Sequence, residues 1–142
     1  MEVADVRRRL RMAIDETRKR ADERRTRKDE ASLAWERILA DVAVPAFHQV
    51  AQALNAEGYR FTVVTPGAAV RLVPERGGDE FVELGLETED DEPAVMIRST
   101  RGRGRRTVTS ERALTARSAV DVLTDDEIVT ELIEELKPFL QR

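Results

Sequence analysis

The apolar positions of the chain change period twice, and each period predicts a different element. From residue 2 to about residue 43 they fall three, four or seven apart: Val3, Leu10, Ile14, Thr17 and Ala21, then Ala31, Trp35, Ile38 and Val42, with Val6 beside the first of them. That spacing lines one face of a helix. The same stretch holds neither Gly nor Pro and is rich in Glu, Arg, Ala and Leu, which cost little to place in a helix. Asp5 and Arg9, Asp15 and Lys19, Glu16 and Arg20, and Glu23 and Arg27 are acid-before-base pairs at i,i+4, each adding ~0.2–0.5 kcal/mol to helix stability without any burial. The stripe lapses at Arg24 and Lys28. About 40 residues rising ~1.5 Å each predict a helix of roughly 60 Å, longer than the rest of the chain needs to cover its core, so another surface is expected to pack on it.

Pro45 lacks the N–H for an i to i−4 bond and crowds the preceding turn, so it either begins a second helix or kinks the first. Beyond it Phe47, Val50, Ala51 and Leu54 share a face, and Gly58 is a fitting stop for a core-facing helix of about residues 45–57.

From Tyr59 the period becomes two, with Tyr59, Phe61 and Val63 on one side and Arg60, Thr62 and Val64 on the other, which is a strand. Pro66-Gly67 turns the chain into a second strand near residues 69–73, and Gly77-Gly78 into a third carrying Val82, Leu84 and Leu86. An acidic loop ending at Pro93 leads to a fourth strand near 94–99, and a fifth is weaker, near 106–110. Short connections between successive strands predict an antiparallel meander. Near the end, Thr124 and Glu127 have the spacing of a capping box ahead of Ile128, Leu132, Ile133 and Leu136, so the chain closes on a helix with Glu131, Glu134 and Glu135 on its outer side. The expected fold is α+β: a long N-terminal helix, a second helix, a four- to five-stranded antiparallel meander, and a C-terminal helix packed on one sheet face. Residues 1–30 are expected to form a charged helical extension, and residues 31–142 a single domain.

Composition narrows the chemistry more than it names a function. Charged residues make up 37% of the 142 positions, which suits a modest core carrying a solvated extension. Aromatics are 4%, with one Trp and one Tyr, which argues against base-stacking surfaces and aromatic clefts. The absence of Cys excludes disulfides, thiolate metal sites and a cysteine nucleophile. Neither a signal-peptide apolar region nor a run of the ~20 apolar residues needed to cross a bilayer is present, so a cytoplasmic location is expected. The bias to Arg over Lys, and to Ala and Val, has a bacterial cast. The net charge of −4 hides segments of opposite sign. Residues 1–30 carry 11 basic and 8 acidic side chains, 31–97 carry 4 and 12, 98–118 carry 7 and 1, and 119–142 carry 2 and 7. Such asymmetry bears on partners rather than on fold.

The densest cluster of one sign is Arg101, Arg103, Arg105 and Arg106, interleaved with Gly102 and Gly104 and flanked by Arg98 and Arg112. Guanidinium forks on a flexible hairpin suit phosphates or carboxylates, although a charged loop between strands is also ordinary solvated surface. The N-terminal helix interleaves acids with its Arg residues, unlike a nucleic-acid-binding basic region, and is better suited to pairing with itself or another helix as a coiled coil. Its expected oligomer interface is Val3, Val6, Leu10, Ile14, Ala21, Trp35, Ile38 and Val42. The run Glu87, Glu89, Asp90, Asp91 and Glu92 lacks calcium-loop spacing and reads as a solvated hairpin tip. His48 is the single histidine, which rules out a two-histidine metal site within one chain. Ser32, Ser99, Ser110 and Ser118 stand outside any nucleophile motif, and there is no phosphate-binding loop or dinucleotide fingerprint. No metal or cofactor is expected. Carboxylate catalysis assembled by folding leaves no local motif, and it is the residual enzymatic route. The leading expectation is therefore a non-enzymatic interaction module that forms a homo-oligomer, or binds another protein, through its N-terminal helix. Nucleic-acid binding through residues 98–112 is the alternative, and a small-molecule binding domain a third. A membrane partner is not expected.

Overall fold

A computed structural model describes residues 2–90, 92–114 and 120–141. Helix α1 runs Val3–Ile38, a π-helical turn follows at Leu39–Ala43, and α2 spans Val44–Ala56. The backbone stays right-handed helical through Ile38, Leu39, Ala43 and Val44, so the two helices form one continuous path. Pro45 explains the wider turn. A Pro in a regular α-helix clashes with the carbonyl four residues back, and a π-turn moves the bonding one residue further, as in the Val44 N–H donating to the Leu39 carbonyl. The second helix expected after Pro45 is formed, and the π-turn at Leu39–Ala43 joins it to α1 without a break in the right-handed backbone.

Five strands follow in a meander: β1 Phe61–Val64, β2 Ala69–Pro74, β3 Phe81–Glu87, β4 Ala94–Arg103 and β5 Arg106–Ala113, all antiparallel and in the order β1-β2-β3-β4-β5. A short 3-10 turn at Val120–Val122, helix α3 at Asp125–Leu136 and a 3-10 turn at Lys137–Gln141 complete the described chain. At the start of α3 the Thr124 hydroxyl accepts from the Glu127 N–H at 3.2 Å, as the capping box predicts. The Glu127 carboxylate, however, accepts from the Thr124 hydroxyl at 3.0 Å instead of reaching the backbone.

Alternation along the strands sorts the sheet into two faces. Val70 and Leu72, Val82 and Leu84, and Val95 and Ile97 are buried beneath α2 and α3 with Phe47, Ile128, Leu132 and Leu136. Both helices therefore lie on one face, because that is the face where each strand places its apolar residues. Trp35 is 1% exposed, and its indole N–H donates at 2.7 Å to the Ala68 carbonyl in the β1–β2 turn, which pins the last turns of α1 to the sheet. Asn55 clamps the other end. Its Oδ1 accepts from the Phe61 N–H at 3.0 Å, fixing where β1 leaves α2. Gly58, at φ +91°, supplies the left-handed backbone between them. Phe61 meets Phe139 edge to face, with ring centroids 6.3 Å apart, and this brings the C-terminal turn onto β1.

The fifth strand expected near 106–110 is formed. Two strand ends lie further on than the sequence reading placed them: β5 runs to Ala113, and β4 continues past residue 99 to Arg103. The basic segment is thus an ordered ribbon. Residues 101–103 pair only with residues 106–108, beyond the last β3 partner, which is Phe81 opposite Thr100. The ribbon closes through a two-residue turn in which Gly104 has φ +64°, the sign required at the first central position of a type II′ hairpin turn.

Candidate interaction surfaces

The predicted interface residues of α1 separate into two groups. Trp35 and Ile38 are buried and Val42 packs against the same core, so these three belong to the inside of the domain rather than to a surface for another chain. Ala31 and Ala34 lie against Pro93 and Val120, and Ala21 is half-buried where α1 passes the β3–β4 tip near Glu89. Beyond that tip no other described element lies opposite the same stripe. Val3, Val6 and Ile14 are exposed, and Leu10 is 59% exposed. Thus α1 presents a free amphipathic arm over residues 3–20, about 27 Å long at ~1.5 Å per residue. The arm's ion pairs are local: Arg8 and Arg9 to Asp5, and Arg20 to Glu16. Such exposed pairs reinforce helicity weakly.

The predicted basic set also divides. Arg98 points to the open face of the sheet and is fully engaged there. Arg71, Glu83, Arg98 and Glu111 are direct cross-strand neighbours, forming a row of alternating charge over β2 to β5. Arg71 Nη2 lies 2.8 Å from Glu83 Oε1, while Arg98 reaches Glu87 at 2.8 Å, Glu111 at 3.4 Å and Glu83 at 3.8 Å. Arg71 also stacks over Phe81, 3.9 Å from its ring centroid. This row desolvates Glu83, one of the few charged residues in the buried class, without leaving it unpaired.

Arg112 faces the opposite way, toward α3, where it pairs with Glu131 and Glu135, and Glu135 also accepts from the Ser99 hydroxyl at 2.8 Å. Burial works against the charge on Arg112, but the two carboxylates outweigh it and hold the guanidinium above its ordinary pKa. Arg98 and Arg112 are therefore structural ion-pair partners and leave the set of free phosphate contacts. Arg101, Arg103, Arg105 and Arg106 remain. Among the described residues they make no ion pair. Strand parity puts Arg101, Arg103 and Arg106 on one face of the ribbon, and Gly102, Thr107 and Thr109 on the other, with Arg105 at the tip.

A third surface was not singled out from sequence. Between α2 and α3 lies an open groove of about 300 Å³ lined by Val50, Ala53, Leu54, Val129, Leu136 and Leu140. Ile133, which its spacing assigns to the packed side of α3, stands on the groove wall and is 47% exposed. The signal was an apolar face too wide for one contact: Ile128, Leu132 and Leu136 already fill the side toward the sheet. A second open cleft, of about 580 Å³, lies between the β1 and β2 ends and Phe139, with Tyr59, Glu75 and Glu80 among its walls. Glu80 there accepts a hydrogen bond from the Gly102 N–H and so anchors the root of the ribbon.

The remaining candidates carry little arrangement. Glu87 of the acidic tip is occupied by Arg98 and by the Glu89 N–H at 2.8 Å. Ser99 is bound to Glu135, while His48 and Ser32 are exposed. Asp91 and Ser118 lie outside the described residues. Among the described residues no helix is long and apolar enough to cross a membrane. Comparison with family models, curated proteins and solved structures returns no match to the chain.

Proposed function

We propose that this chain is a non-enzymatic protein-interaction module that associates with itself through the free N-terminal half of α1. The carrying observation is the arm of residues 3–20, whose stripe of Val3, Val6, Leu10 and Ile14 continues the stripe that is buried at Trp35 and Ile38 but has no surface opposite it among the described residues. An isolated helix of this length is marginal in water, and burying its apolar face on another chain supplies what its own domain does not. The test is solution mass by light scattering at micromolar concentration, for the native chain and for Leu10→Glu with Ile14→Glu. The native chain is expected as a dimer or larger and the variant as a folded monomer; a monomeric native chain refutes self-association.

A second reading rests on the ribbon. Arg101, Arg103 and Arg106 share a face and make no ion pair among the described residues, and a two-stranded ribbon fits a duplex major groove, about 12 Å wide. Four phosphate contacts imply a slope of log K against log salt of roughly −3.6 on duplex DNA. Fluorescence anisotropy with labelled DNA and RNA across a salt series checks it, and affinity that is absent or indifferent to salt removes it.

A further inference from the structure

The charges around the free stripe of α1 are sorted by face, although they interleave in sequence. At ~100° per residue, Arg7, Arg11 and Arg18 flank the stripe on one side and Arg9 and Arg20 on the other, with Glu2 at the helix N-cap on that second side, while Asp5, Asp15 and Glu16 fall about 120° or more away from the stripe centre. The apolar seam therefore has arginine on both shoulders. Arg9 and Arg20 are tied back to Asp5 and Glu16, but Arg7, Arg11 and Arg18 make no ion pair among the described residues. Two such arms lying face to face oppose arginine to arginine in either direction. Parallel packing sets one shoulder against the other, and antiparallel packing sets each shoulder against itself, and both shoulders are basic. The arm asks for an apolar surface with an acidic rim.

The groove between α2 and α3 is such a surface. Its lining includes the buried Val50, the half-buried Leu54 and Val129, and the exposed Ala53, Ile133 and Glu57. Asp126 lies two turns before Ile133 on the same side of α3, and Glu134, which adjoins it, is paired with Lys137 at 2.6 Å, so Glu57 and Asp126 are the acids of this rim without an ion pair among the described residues. Val3, Val6, Leu10 and Ile14 have the spacing with which a helix anchors in a groove. The arm cannot reach its own groove. Leu10 and Ala53 are separated by one unbroken helical path of about 65 Å at ~1.5 Å per residue, and nothing in that path turns back.

We infer that the free arm of one copy seats its stripe in the α2–α3 groove of a second copy, with Arg7, Arg11 and Arg18 against the acidic rim, rather than pairing with its twin arm. The inference rests on the self-association proposed above and specifies its surface. The absence of cysteine makes the test clean. Ala13 flanks the stripe and Ala53 lies in the groove, both exposed, so Ala13→Cys and Ala53→Cys are prepared separately in the full chain and oxidised alone and as a mixture. A disulfide needs the two Cα atoms within about 7 Å.

The expected result is a covalent dimer on non-reducing gels from the mixture and little from either variant alone, with Ile133→Glu lowering the native mass by light scattering. Ile133 is already half-exposed, so that variant is expected to stay folded. Strong self-crosslinking of Ala13→Cys would mean that arm pairs with arm, which overturns the groove and leaves self-association standing. An oligomeric native mass without crosslinking in the mixture overturns the groove as well. A monomeric native mass overturns both readings.

Discussion

Trp35 and Leu10 lie on the same stripe of the same helix, about seven turns apart. Trp35 is 1% exposed beneath the β1–β2 turn, and Leu10 is open to solvent with no neighbouring element among the described residues. The arginines of the sheet divide in the same manner. Arg98 and Arg112 are enclosed by carboxylates, while Arg103 and Arg105, a few residues away, face water. Trp35 and Leu10 share a register and the four arginines share a residue type, yet within each group what the fold brings opposite differs. An anchored residue contributes to stability. A free one is where function has room to act, because changing it leaves the fold intact.

The sharpest way to break this comparison is at the stripe. Trp35→Ala removes a fully buried indole and its hydrogen bond to Ala68, and it should cost about 3–5 kcal/mol in a urea melt. Leu10→Ala, measured at a concentration low enough to keep the chain monomeric, should stay within ~0.5 kcal/mol. Similar costs at the two positions would mean that the arm packs against its own domain and that the halves of α1 are not different in kind.

The helix was legible because its spacing, composition and i,i+4 pairs all depend on near neighbours in sequence. Which half would be buried was not, since the burial of Trp35 depends on Ala68, 33 residues further on. The meander was legible from alternation and turn residues, but Gly102 and Gly104 suggested a flexible loop where only Gly104 marks the turn and Gly102 lies inside a strand. The fates of Arg98 and Arg112 were hidden for a related reason. Their partners are set by strand register and by the placement of α3, and a charge count over 98–118 does not contain either. The α2–α3 groove depends on two helices almost 70 residues apart in sequence meeting at one angle, which no local pattern encodes.

A smaller effect is expected at Arg112. Replacing it with Met keeps the aliphatic stem but leaves Glu135, whose side chain is 10% exposed, without its counter-charge, at a cost of about 1–3 kcal/mol. A double-mutant cycle with Glu135→Gln should recover part of that loss, because the second change removes the stranded carboxylate. The pH dependence has a definite sign. The pKa of Arg112 is raised in the folded chain, so its contribution is complete below its ordinary pKa and is lost only as pH climbs through the raised one, which places the loss at strongly alkaline pH.

The smallest stability effect belongs to the ribbon, and it is the most informative about function. Converting Arg101, Arg103 and Arg106 together to Gln removes three positive charges from one face without touching a core residue or an ion pair among the described residues. The ladder hydrogen bonds between β4 and β5 are backbone bonds, and the Gly104 turn is unchanged, so the unfolding midpoint should shift by less than the equivalent of about 0.5 kcal/mol. A slight gain is also consistent, since Arg103 and Arg106 face each other across the ladder and like charges placed directly opposite repel. If the ribbon grips phosphates, the same variant loses nearly all nucleic-acid affinity and flattens the salt slope by about three contacts, on the order of −0.9 each for duplex DNA. A large destabilisation would instead show that these arginines hold the ribbon in place, and would put them in the anchored class with Arg98 and Arg112.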